Sequence, residues 1–299
     1  LHAGILPYHP SWRALFGALE YIVVDEIHTY RGVFGSHVAN VLRRLQRLCR
    51  FYGSAPHFIC ASATIANPVE HAERLIEQPF TLVDESQNGA PRGAKDFILY
   101  NPPIINEELG LRASTVLTAK DAAMAFLGQD IQTIVFARAR QTVELLLGYV
   151  RDDLAHQGRG DIFVAGYRGG YLPEERRELE SKLRTGDVRA LATTSALELG
   201  IDISGLDAVV VTGWPGTHAS FSQQIGRAGR AGRPGLAVFV GRDNPLDQYL
   251  LDHPSVISDT PSEANVFDPA NPGVLIPQLC AAAAELPLQA SDAAVFGLD

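Results

Sequence analysis

The stretch Tyr21-Ile22-Val23-Val24-Asp25-Glu26-Ile27-His28 decides the fold of this chain. Its first four residues are apolar or aromatic and rich in β-branched types, a pattern typical of a buried parallel strand. Two carboxylates and a histidine follow directly, at the point where the strand ends. In open α/β sheets, ligands bind outside the carboxyl ends of the strands. The stretch therefore predicts a parallel sheet with a polar site at its edge.

The Asp25-Glu26 pair suits the chemistry of phosphoryl transfer at that position. One carboxylate would hold a Mg²⁺ ion on the phosphates, and the other would take a proton from the attacking water. Acidic residues also occur at the solvated end of a strand without any catalytic role. The pair by itself therefore leaves both interpretations open, and the remainder of the chain has to decide between them.

Strand-like and helix-like patterns alternate along the chain, which predicts parallel sheets covered by helices on both faces. A glycine-punctuated turn at 29–35 precedes a helix over 36–52, and a second buried strand over 58–61 ends in Ser62-Ala63-Thr64. The next helix begins at Asn67-Pro68, with asparagine as its cap and proline at its first position. We expect the arginines of the 36–52 helix to form a solvated face, since they lie off its apolar stripe. These arginines are Arg43, Arg44, Arg47 and Arg50.

A second α/β series follows a segment without periodicity. We assign 89–114 as a linker, with room for a short hairpin around Lys95–Tyr100. The later strands are predicted at 133–137, 162–165, 189–194, 208–212 and 236–240, with helices over 118–127, 142–156 and 173–184. Beyond 243, frequent prolines and an apolar helix over 274–285 indicate another domain. The predicted organisation is one α/β lobe in 1–88, the linker, a second α/β lobe in 115–252, and the start of a small helical or winged-helix domain in 253–299.

Composition narrows the class of protein. The formal net charge of −9 argues against a surface that binds polyanions everywhere, so a nucleic-acid site would be a local basic groove. The cysteines have no close pair, which excludes a disulfide framework and a four-cysteine zinc site within this chain. No apolar run could span a bilayer, and the first residues do not resemble a signal peptide, which together predict a cytoplasmic protein. The chain begins with leucine, so we expect it to be a piece of a longer protein.

Four stretches, taken together and in order, resemble motifs II, III, V and VI of superfamily-2 helicases. They are Asp25–His28, Ser62–Thr64, Thr194–Asp202 and Gln223–Arg230. Three further stretches resemble the MrfA/YprA/SftH branch of DEAD/DEAH-type DNA helicases, which is related to RecQ-like repair helicases. These are Thr29–His37, Gly166–Tyr171 and Asn244–Tyr249. The resemblance implies two RecA-like lobes, the first partial and the second complete, and ATP-driven 3′-to-5′ movement on single-stranded or partly duplex DNA, with a link to DNA repair.

The resemblance also implies roles for individual residues around ATP and Mg²⁺ in a cleft between the lobes. Asp25 would bind Mg²⁺ through water, Glu26 would activate the hydrolytic water, and Arg227 and Arg230 would act as arginine fingers. The ATP-binding residues would be Gly200, Asp202 and Gln223. His28, Ser62 and Thr64 would couple the nucleotide site to the DNA site. The residues on the DNA backbone would be Thr194, Arg140 and Arg168.

Simpler explanations exist for some of these residues. His28 would equally well satisfy a polar network, and arginines after strands, such as Arg140 and Arg168, are common at solvated surfaces. Arg227 and Arg230 are harder to explain as a solvated helix face, because the glycines between them would weaken a helix.

The chain also departs from the family pattern. It contains no phosphate-binding Gly-x-x-x-x-Gly-Lys-Thr loop and no zinc-binding cysteine cluster. We therefore expect an internal piece of a longer helicase that is inactive by itself. Two alternatives stay open at this point: a non-catalytic nucleic-acid-binding module, and an RNA helicase of the same superfamily. The oligomeric state is left open as well.

Overall fold

The computed structural model describes residues 1–89, 93–167, 172–197, 206–229, 234–260 and 262–298. Four of the predicted site residues lie outside the described residues, namely Arg168, Gly200, Asp202 and Arg230. The chain divides into two units, the first made of Leu1–Asn88 with Ser262–Asp299 and the second of Gly89–Pro261. In the described parts of the chain, no helix combines the length and the apolar character needed to cross a membrane.

Helices and strands alternate over most of the chain, as predicted. The helices are α1 (Arg13–Gly17), α2 (Gly32–Phe51), α3 (Pro68–Ile76), α4 (Thr115–Gly128), α5 (Arg140–His156), α6 (Pro173–Thr185), α7 (His218–Ile225), α8 (Pro245–Asp252), α9 (Pro254–Ser258), α10 (Pro272–Glu285) and α11 (Asp292–Phe296). The strands are β1 (Tyr21–Val24), β2 (His57–Cys60), β3 (Lys95–Tyr100), β4 (Ile104–Asn106), β5 (Leu111–Arg112), β6 (Thr133–Phe136), β7 (Val164–Tyr167), β8 (Ala190–Thr193), β9 (Ala208–Thr212) and β10 (Gly235–Val240). Short 3₁₀ helices cover Leu6–Trp12, Ile27–Thr29, Glu85–Gln87 and Ser195–Leu197.

In the first unit, β1 and β2 form a parallel pair, in register from Tyr21 opposite His57 to Val24 opposite Cys60. The prediction of a parallel strand at 21–24 is confirmed, but the prediction that it is buried holds for one face only. Val24 is buried among apolar residues of α2 and α3, whereas Tyr21 and Val23 are 60% and 66% exposed. Side chains alternate across a strand, so these two share the face that the described helices leave uncovered.

In the second unit, the described strands form one parallel sheet in the order β3-β10-β9-β6-β8-β7. Every residue of the adjacent strands β6, β8 and β9 is buried. Because helices cover both faces of such a sheet, central strands become continuous apolar runs, which is why the sequence predicts them well. Their carboxyl ends lie along one edge of the sheet.

The segment predicted as a linker with a hairpin around Lys95–Tyr100 has a different structure. Lys95–Tyr100 is β3, and it pairs in parallel with β10 along its whole length. Its partner lies 140 positions further along the chain, so no local pattern could indicate the pairing. The hairpin follows instead, where β4 pairs antiparallel with β5. The linker thus belongs to the second unit.

Three arginines of α2 are buried, so the predicted solvated face is wrong for them. Arg43 and Arg44 are 1% exposed and Arg47 is 6% exposed, whereas Arg50 is exposed as expected. The reason is that α10 and α11, from the far end of the sequence, cover this side of α2. The predicted start of a separate domain at 253–299 differs from the structure for the same reason, since Ser262–Asp299 joins the first unit.

Two of the buried arginines, Arg43 and Arg47, bond to carbonyl groups near the ends of α10 and α11, whereas Arg44 bonds to the side chains of Glu285 and Gln278. Arg47 donates through Nη1 to the Ala282 carbonyl at 2.7 Å and through Nη2 to the carbonyls of Leu286 at 2.8 Å and Pro287 at 2.6 Å. Arg43 Nη1 donates to the Phe296 carbonyl at 2.7 Å. Cations at helix carboxyl ends also favour the helix dipole. The arginines therefore anchor the C-terminal helices on α2.

Candidate functional site

The carboxylates predicted from the sequence lie directly after β1, in a segment that we call the acidic turn (residues 25–29). Asp25 is exposed, and its Oδ1 accepts a hydrogen bond from the Glu26 amide at 2.8 Å. Glu26 has a left-handed backbone, with φ 54° and ψ 41°. That conformation costs a residue with a side chain roughly 1–2 kcal/mol. Such strain persists where the surrounding structure determines it, which is common at functional sites.

Backbone bonds on both sides hold Glu26 in this conformation. The Ile27 amide donates to the Ala61 carbonyl at 3.0 Å, which ties the acidic turn to the end of β2. The Glu26 carbonyl accepts from the amide of Thr29 at 2.9 Å and from its hydroxyl at 2.8 Å. Both carboxylates therefore stand at the carboxyl end of β1, where the sequence places them.

His28 links the acidic turn to the loop after β2. It is buried, and its Nδ1 accepts a hydrogen bond from the Ala63 amide at 3.1 Å. Burial lowers the pKa of His28, against the opposing effect of the Glu26 and Asp25 charges. Glu26 Oε2 lies 3.3 Å from the same Nδ1. Since that nitrogen already accepts a bond, we place the proton on Nε2 and regard the ring as neutral, so the contact with Glu26 is not an ion pair.

Ser62 and Thr64, the two hydroxyl residues predicted to couple the nucleotide site to the DNA site, are exposed in this unit. Ser62 and Thr64 follow β2, and the Ser62 hydroxyl donates to the neighbouring Ala63 carbonyl at 2.6 Å rather than to a carboxylate. The acidic turn thus contacts the loop after β2 through the backbone of Ala61 and Ala63 rather than through these hydroxyl groups.

Two residues that the sequence did not single out also contact the acidic turn. His71 of α3 contacts the Ile27 carbonyl through Nε2 at 2.8 Å, and Asn265 donates through Nδ2 to the His28 carbonyl at 2.7 Å. Asn67, predicted as the cap of α3, makes no capping bond with its side chain and instead accepts from the Asn265 amide at 2.8 Å. Asn265 carries no local signal, because its contacts lie about two hundred positions earlier in the chain.

In the second unit, a cavity of about 170 Å³ opens at the carboxyl ends of β6 and β9. Its lining residues are Phe136, Ala137, Arg138, Ser195, Val211, Thr212, Gly213, Pro215 and Gln224. Thr194 precedes Ser195 at the end of β8 and is half-buried, and its Oγ1 accepts from the Ala196 amide at 3.4 Å. Gln223 is the neighbour of Gln224 on α7. The structure therefore brings Thr194 to this edge of the sheet, as a parallel sheet requires.

Arg140 is exposed at the first position of α5. It follows two residues after Arg138, which lines this cavity. The residue before it, Ala139, makes no side-chain capping bond, so the first amides of α5 have no side-chain partner from the cap position. Helix amino ends with free amides favour anions, and two arginines add positive charge. Arg138 was not among the predicted site residues, although it shares with Arg140 the signal of an arginine shortly after a strand.

Arg227 lies at the opposite edge of this sheet. It is half-buried just after α7, and the next two residues pass beside the amino ends of β9 and β10. Ala228 bridges to Leu206, and the Gly229 amide donates to the Leu206 carbonyl at 2.7 Å. A Cβ at Gly235 would lie 2.4 Å from the Gly229 nitrogen, so this close approach requires glycine. The structure thus separates Arg227 from Thr194 and Arg140.

Among the residues that the structure covers, no group of three or more histidine, cysteine, aspartate or glutamate side chains is arranged to hold a metal ion. In the acidic turn, the carboxylates available to a metal ion are those of Asp25 and Glu26.

Two family models match the chain. The model described as DEAD/DEAH box helicase matches residues 2–72, and the model described as helicase conserved C-terminal domain matches residues 119–232. The first match contains the acidic turn, and the second contains Thr194 and Arg227.

Individual proteins are similar over almost the whole chain. The ATP-dependent helicase YprA of Bacillus subtilis is 51% identical over 98% of this chain and 39% of its own length. The ATP-dependent helicase HRQ1 of Saccharomyces cerevisiae is 39% identical over 96% of this chain and 27% of its own length. The crystal structure of the DUF1998 helicase MrfA bound to DNA and AMPPNP is 49% identical, with a TM-score of 0.92, over 98% of this chain and 40% of that one. The chain thus spans well under half the length of these relatives.

Proposed function

Because this chain belongs to the DEAD/DEAH-box helicases of superfamily 2, we propose that the protein is an ATP-dependent DNA helicase or translocase. It acts in the cytoplasm on single-stranded or partly duplex DNA, moves 3′ to 5′ and serves DNA repair. The observation that carries the proposal is the acidic turn, where Glu26 is held in a left-handed conformation beside Asp25 at the end of a parallel strand. The structure of MrfA with DNA and AMPPNP supports both ligand classes.

The residues of the acidic turn fit a Mg²⁺ ion. The ion prefers one or two carboxylates and keeps several waters, and Asp25 offers an exposed carboxylate with one oxygen engaged by the Glu26 amide. When bound, Mg²⁺ neutralises charge on the phosphates of ATP. Asp25 would hold the ion through water, and Glu26 would take the proton from the attacking water. The proposed role of Arg227 and Arg230 is to stabilise charge on the γ-phosphate, and that of Gly200, Asp202 and Gln223 is to bind ATP.

The edge of the sheet that carries Thr194 is the proposed DNA interface in the second unit. Arg138, Arg140 and the amino end of α5 would bind backbone phosphates, which carry no sequence information. His28, Ser62 and Thr64 keep their proposed role in coupling hydrolysis to DNA binding. Because phosphate contacts dominate, sequence preference should be low and binding should weaken steeply with salt.

The substitution Glu26→Gln in the full-length protein tests the proposal. It removes the base but keeps the size and backbone of the residue, so we expect DNA-stimulated ATP hydrolysis to fall by about 10²- to 10⁴-fold while ATP binding is retained. Turnover is measured by phosphate release and binding by fluorescent-nucleotide titration. Glu20→Gln, the same change at an exposed position just before β1, is the control. Unchanged hydrolysis in Glu26→Gln would refute the assignment.

The same assay distinguishes the proposed substrate from the alternatives. Matched single strands of DNA and RNA are added to the wild-type protein, and we expect DNA to stimulate hydrolysis more strongly. Stimulation by RNA alone would indicate an RNA helicase of the same superfamily. Binding of DNA without any hydrolysis would indicate a non-catalytic nucleic-acid-binding protein.

A further inference from the structure

Residues 263–271, which we call the C-terminal strap, lie across the acidic turn. The strap bonds to the loop before α3, where the Ala66 amide donates to the Glu263 carbonyl at 3.3 Å. It also bonds to the first turns of α2. The Gly32 amide donates to the Val266 carbonyl at 2.9 Å, and the Asp268 amide donates to the Ser36 hydroxyl at 3.0 Å. The strap is therefore fixed on both sides of the acidic turn.

Asn265 is the residue of the strap that reaches the acidic turn. Its side chain is buried and donates to the His28 carbonyl at 2.7 Å. The Asn67 amide group bonds to both backbone groups of Asn265, accepting from its N–H at 2.8 Å and donating to its carbonyl at 3.1 Å. This pair of bonds fixes the backbone of Asn265 and hence the position from which its side chain donates.

His71 makes the matching contact from α3. The ring is 1% exposed, and Nε2 lies 2.8 Å from the Ile27 carbonyl, so Nε2 carries the proton and donates. The other nitrogen, Nδ1, is buried without a hydrogen-bond partner, which makes the neutral ring the form that fits. The ring packs edge-on against Phe267 of the strap at 5.1 Å between centroids.

Two successive carbonyls after Glu26 are thus held by side chains from outside the acidic turn. Glu26 occupies a costly left-handed conformation, and a three-residue 3₁₀ turn offers few bonds of its own to maintain it. Removing the Asn265 donor takes this hydrogen bond from the His28 carbonyl, and removing the His71 donor leaves the Ile27 carbonyl with the Tyr30 amide at 3.0 Å, so either change lets the turn relax. We infer that Asn265 and His71 are positioning residues, which set the direction of the Glu26 carboxylate. The inference rests on the proposed role of Glu26 in hydrolysis.

Asn265→Asp in the full-length protein is the first test. The aspartate has the same shape but an ionised carboxylate cannot donate to the His28 carbonyl. A misplaced catalytic group costs up to about 10²-fold, so we expect kcat for DNA-stimulated ATP hydrolysis to fall roughly 10- to 100-fold with KM for ATP unchanged. The control is Asn271→Asp, the same change at the cap of α10, where aspartate also accepts the Gly273 amide. A kcat equal to that of the control would overturn the inference.

A pair of substitutions at His71 provides the second test. His71→Phe keeps a ring against Phe267 but removes the donor, whereas His71→Gln keeps an N–H near the position of Nε2. We expect His71→Phe to lower kcat and His71→Gln to restore most of it, with thermal unfolding measured in parallel. If Asn265→Asp does not fold, this pair decides. Equal kcat values in the two His71 variants, or loss of folded protein in both Asn265→Asp and His71→Phe, would assign a structural role only and overturn the inference.

The controls separate this inference from the proposed function. A wild-type protein without ATP hydrolysis overturns both. Hydrolysis that depends on Glu26 but not on the Asn265 or His71 donors overturns the positioning role alone.

Discussion

A single buried carboxylate, Asp247, organises the cavity edge of the second unit. It is 1% exposed, and its Oδ2 accepts from the amides of Arg242 at 2.9 Å and Trp214 at 3.3 Å. Gly213 between the strand end and Trp214 has φ 77°, and a Cβ there would meet the Arg242 side chain. Asp247 belongs to the stretch Asn244–Tyr249, for which the sequence suggested a resemblance but no physical role. Its role is to join the loops after β9 and β10.

We predict that Asp247→Ala destabilises the second unit by about 2–4 kcal/mol, because the buried Trp214 amide and the partly buried Arg242 amide lose their acceptor at about 1–3 kcal/mol each. Urea unfolding followed by the fluorescence of buried Trp214, in a Trp12→Phe background, measures the change. Asp243→Ala removes an exposed carboxylate of the same loop and should stay within about 0.5 kcal/mol. Equal midpoints for the two variants would show that Asp247 does not hold these loops.

At this scale, the sequence indicates residues whose role follows from their position in an element. Asp25 and Glu26 stand at a strand end because apolar residues before them define the strand, and that much was predictable. His71 and Asn265 contact the same turn, but only the folded chain brings Asn265 to His28. For Arg43, Arg44 and Arg47, the prediction of a solvated helix face was wrong. Their charge predicts that they face solvent, and their burial is explained by carbonyls at distant helix ends for Arg43 and Arg47 and by the Glu285 carboxylate for Arg44.

At the scale of elements, helix α2 is a support for the C-terminal helices as well as a neighbour of β1. Helix α2 begins at Gly32, four residues before the predicted start at 36. The glycines at 32 and 35 therefore lie within the helix and not in a turn before it. Strand β9 was predicted at its observed bounds because it is a continuous apolar run that ends in a buried threonine. Strand β3 was not recognised as part of the sheet, since an edge strand with exposed residues lacks that continuous apolar pattern.

We predict that Arg47→Ala lowers stability by about 3–5 kcal/mol, because it leaves the partly buried Asp292 carboxylate without its cation and removes the donor to the carbonyls of Ala282 and Leu286. Arg50→Ala, one turn further along α2, removes an exposed guanidinium and should change stability by less than about 0.5 kcal/mol. Hydrogen exchange in α10 and α11 measures the local effect. Protection that falls equally in both variants would contradict the anchoring role of Arg47.

At the scale of the whole molecule, the fold class predicted from the sequence is confirmed, an α/β protein with a parallel sheet that matches RecA-like helicase folds. The order of its elements was predictable because alternating strands and helices leave few arrangements open. The return of Ser262–Asp299 to the first unit was not predictable, since no local pattern encodes which unit a later segment joins. The consequence is that the acidic turn, residues 25–29, is contacted by residues that lie more than two hundred positions later in the sequence.

The buried histidines make the first unit sensitive to mild acid. Burial lowers the pKa of His71 from its usual 6.5, and Arg74 lowers it further while the Ile27 bond and Glu70 oppose this. Burial lowers the pKa of His28 as well. The charges of Glu26 and Asp25 raise that pKa, whereas the charge of Arg31 lowers it further. The unfolded chain therefore binds more protons than the folded unit as the pH falls through 6.5. Stability from the neutral rings is present above that pH and is lost below it.

We expect hydrogen-exchange protection in α2 and α3, corrected for intrinsic exchange rates, to fall between about pH 7.5 and 5.5, above the range where carboxylates titrate. Strands β9 and β10 of the second unit provide the reference for effects on the whole chain. His71→Gln removes one of the two rings whose pKa burial lowers and keeps the donor to Ile27, so it should flatten the pH dependence while retaining protection at pH 7.5. The same pH dependence in His71→Gln and in the wild type would show that folding does not lower the pKa of His71. The acid sensitivity would then belong to His28 and the charges around the acidic turn.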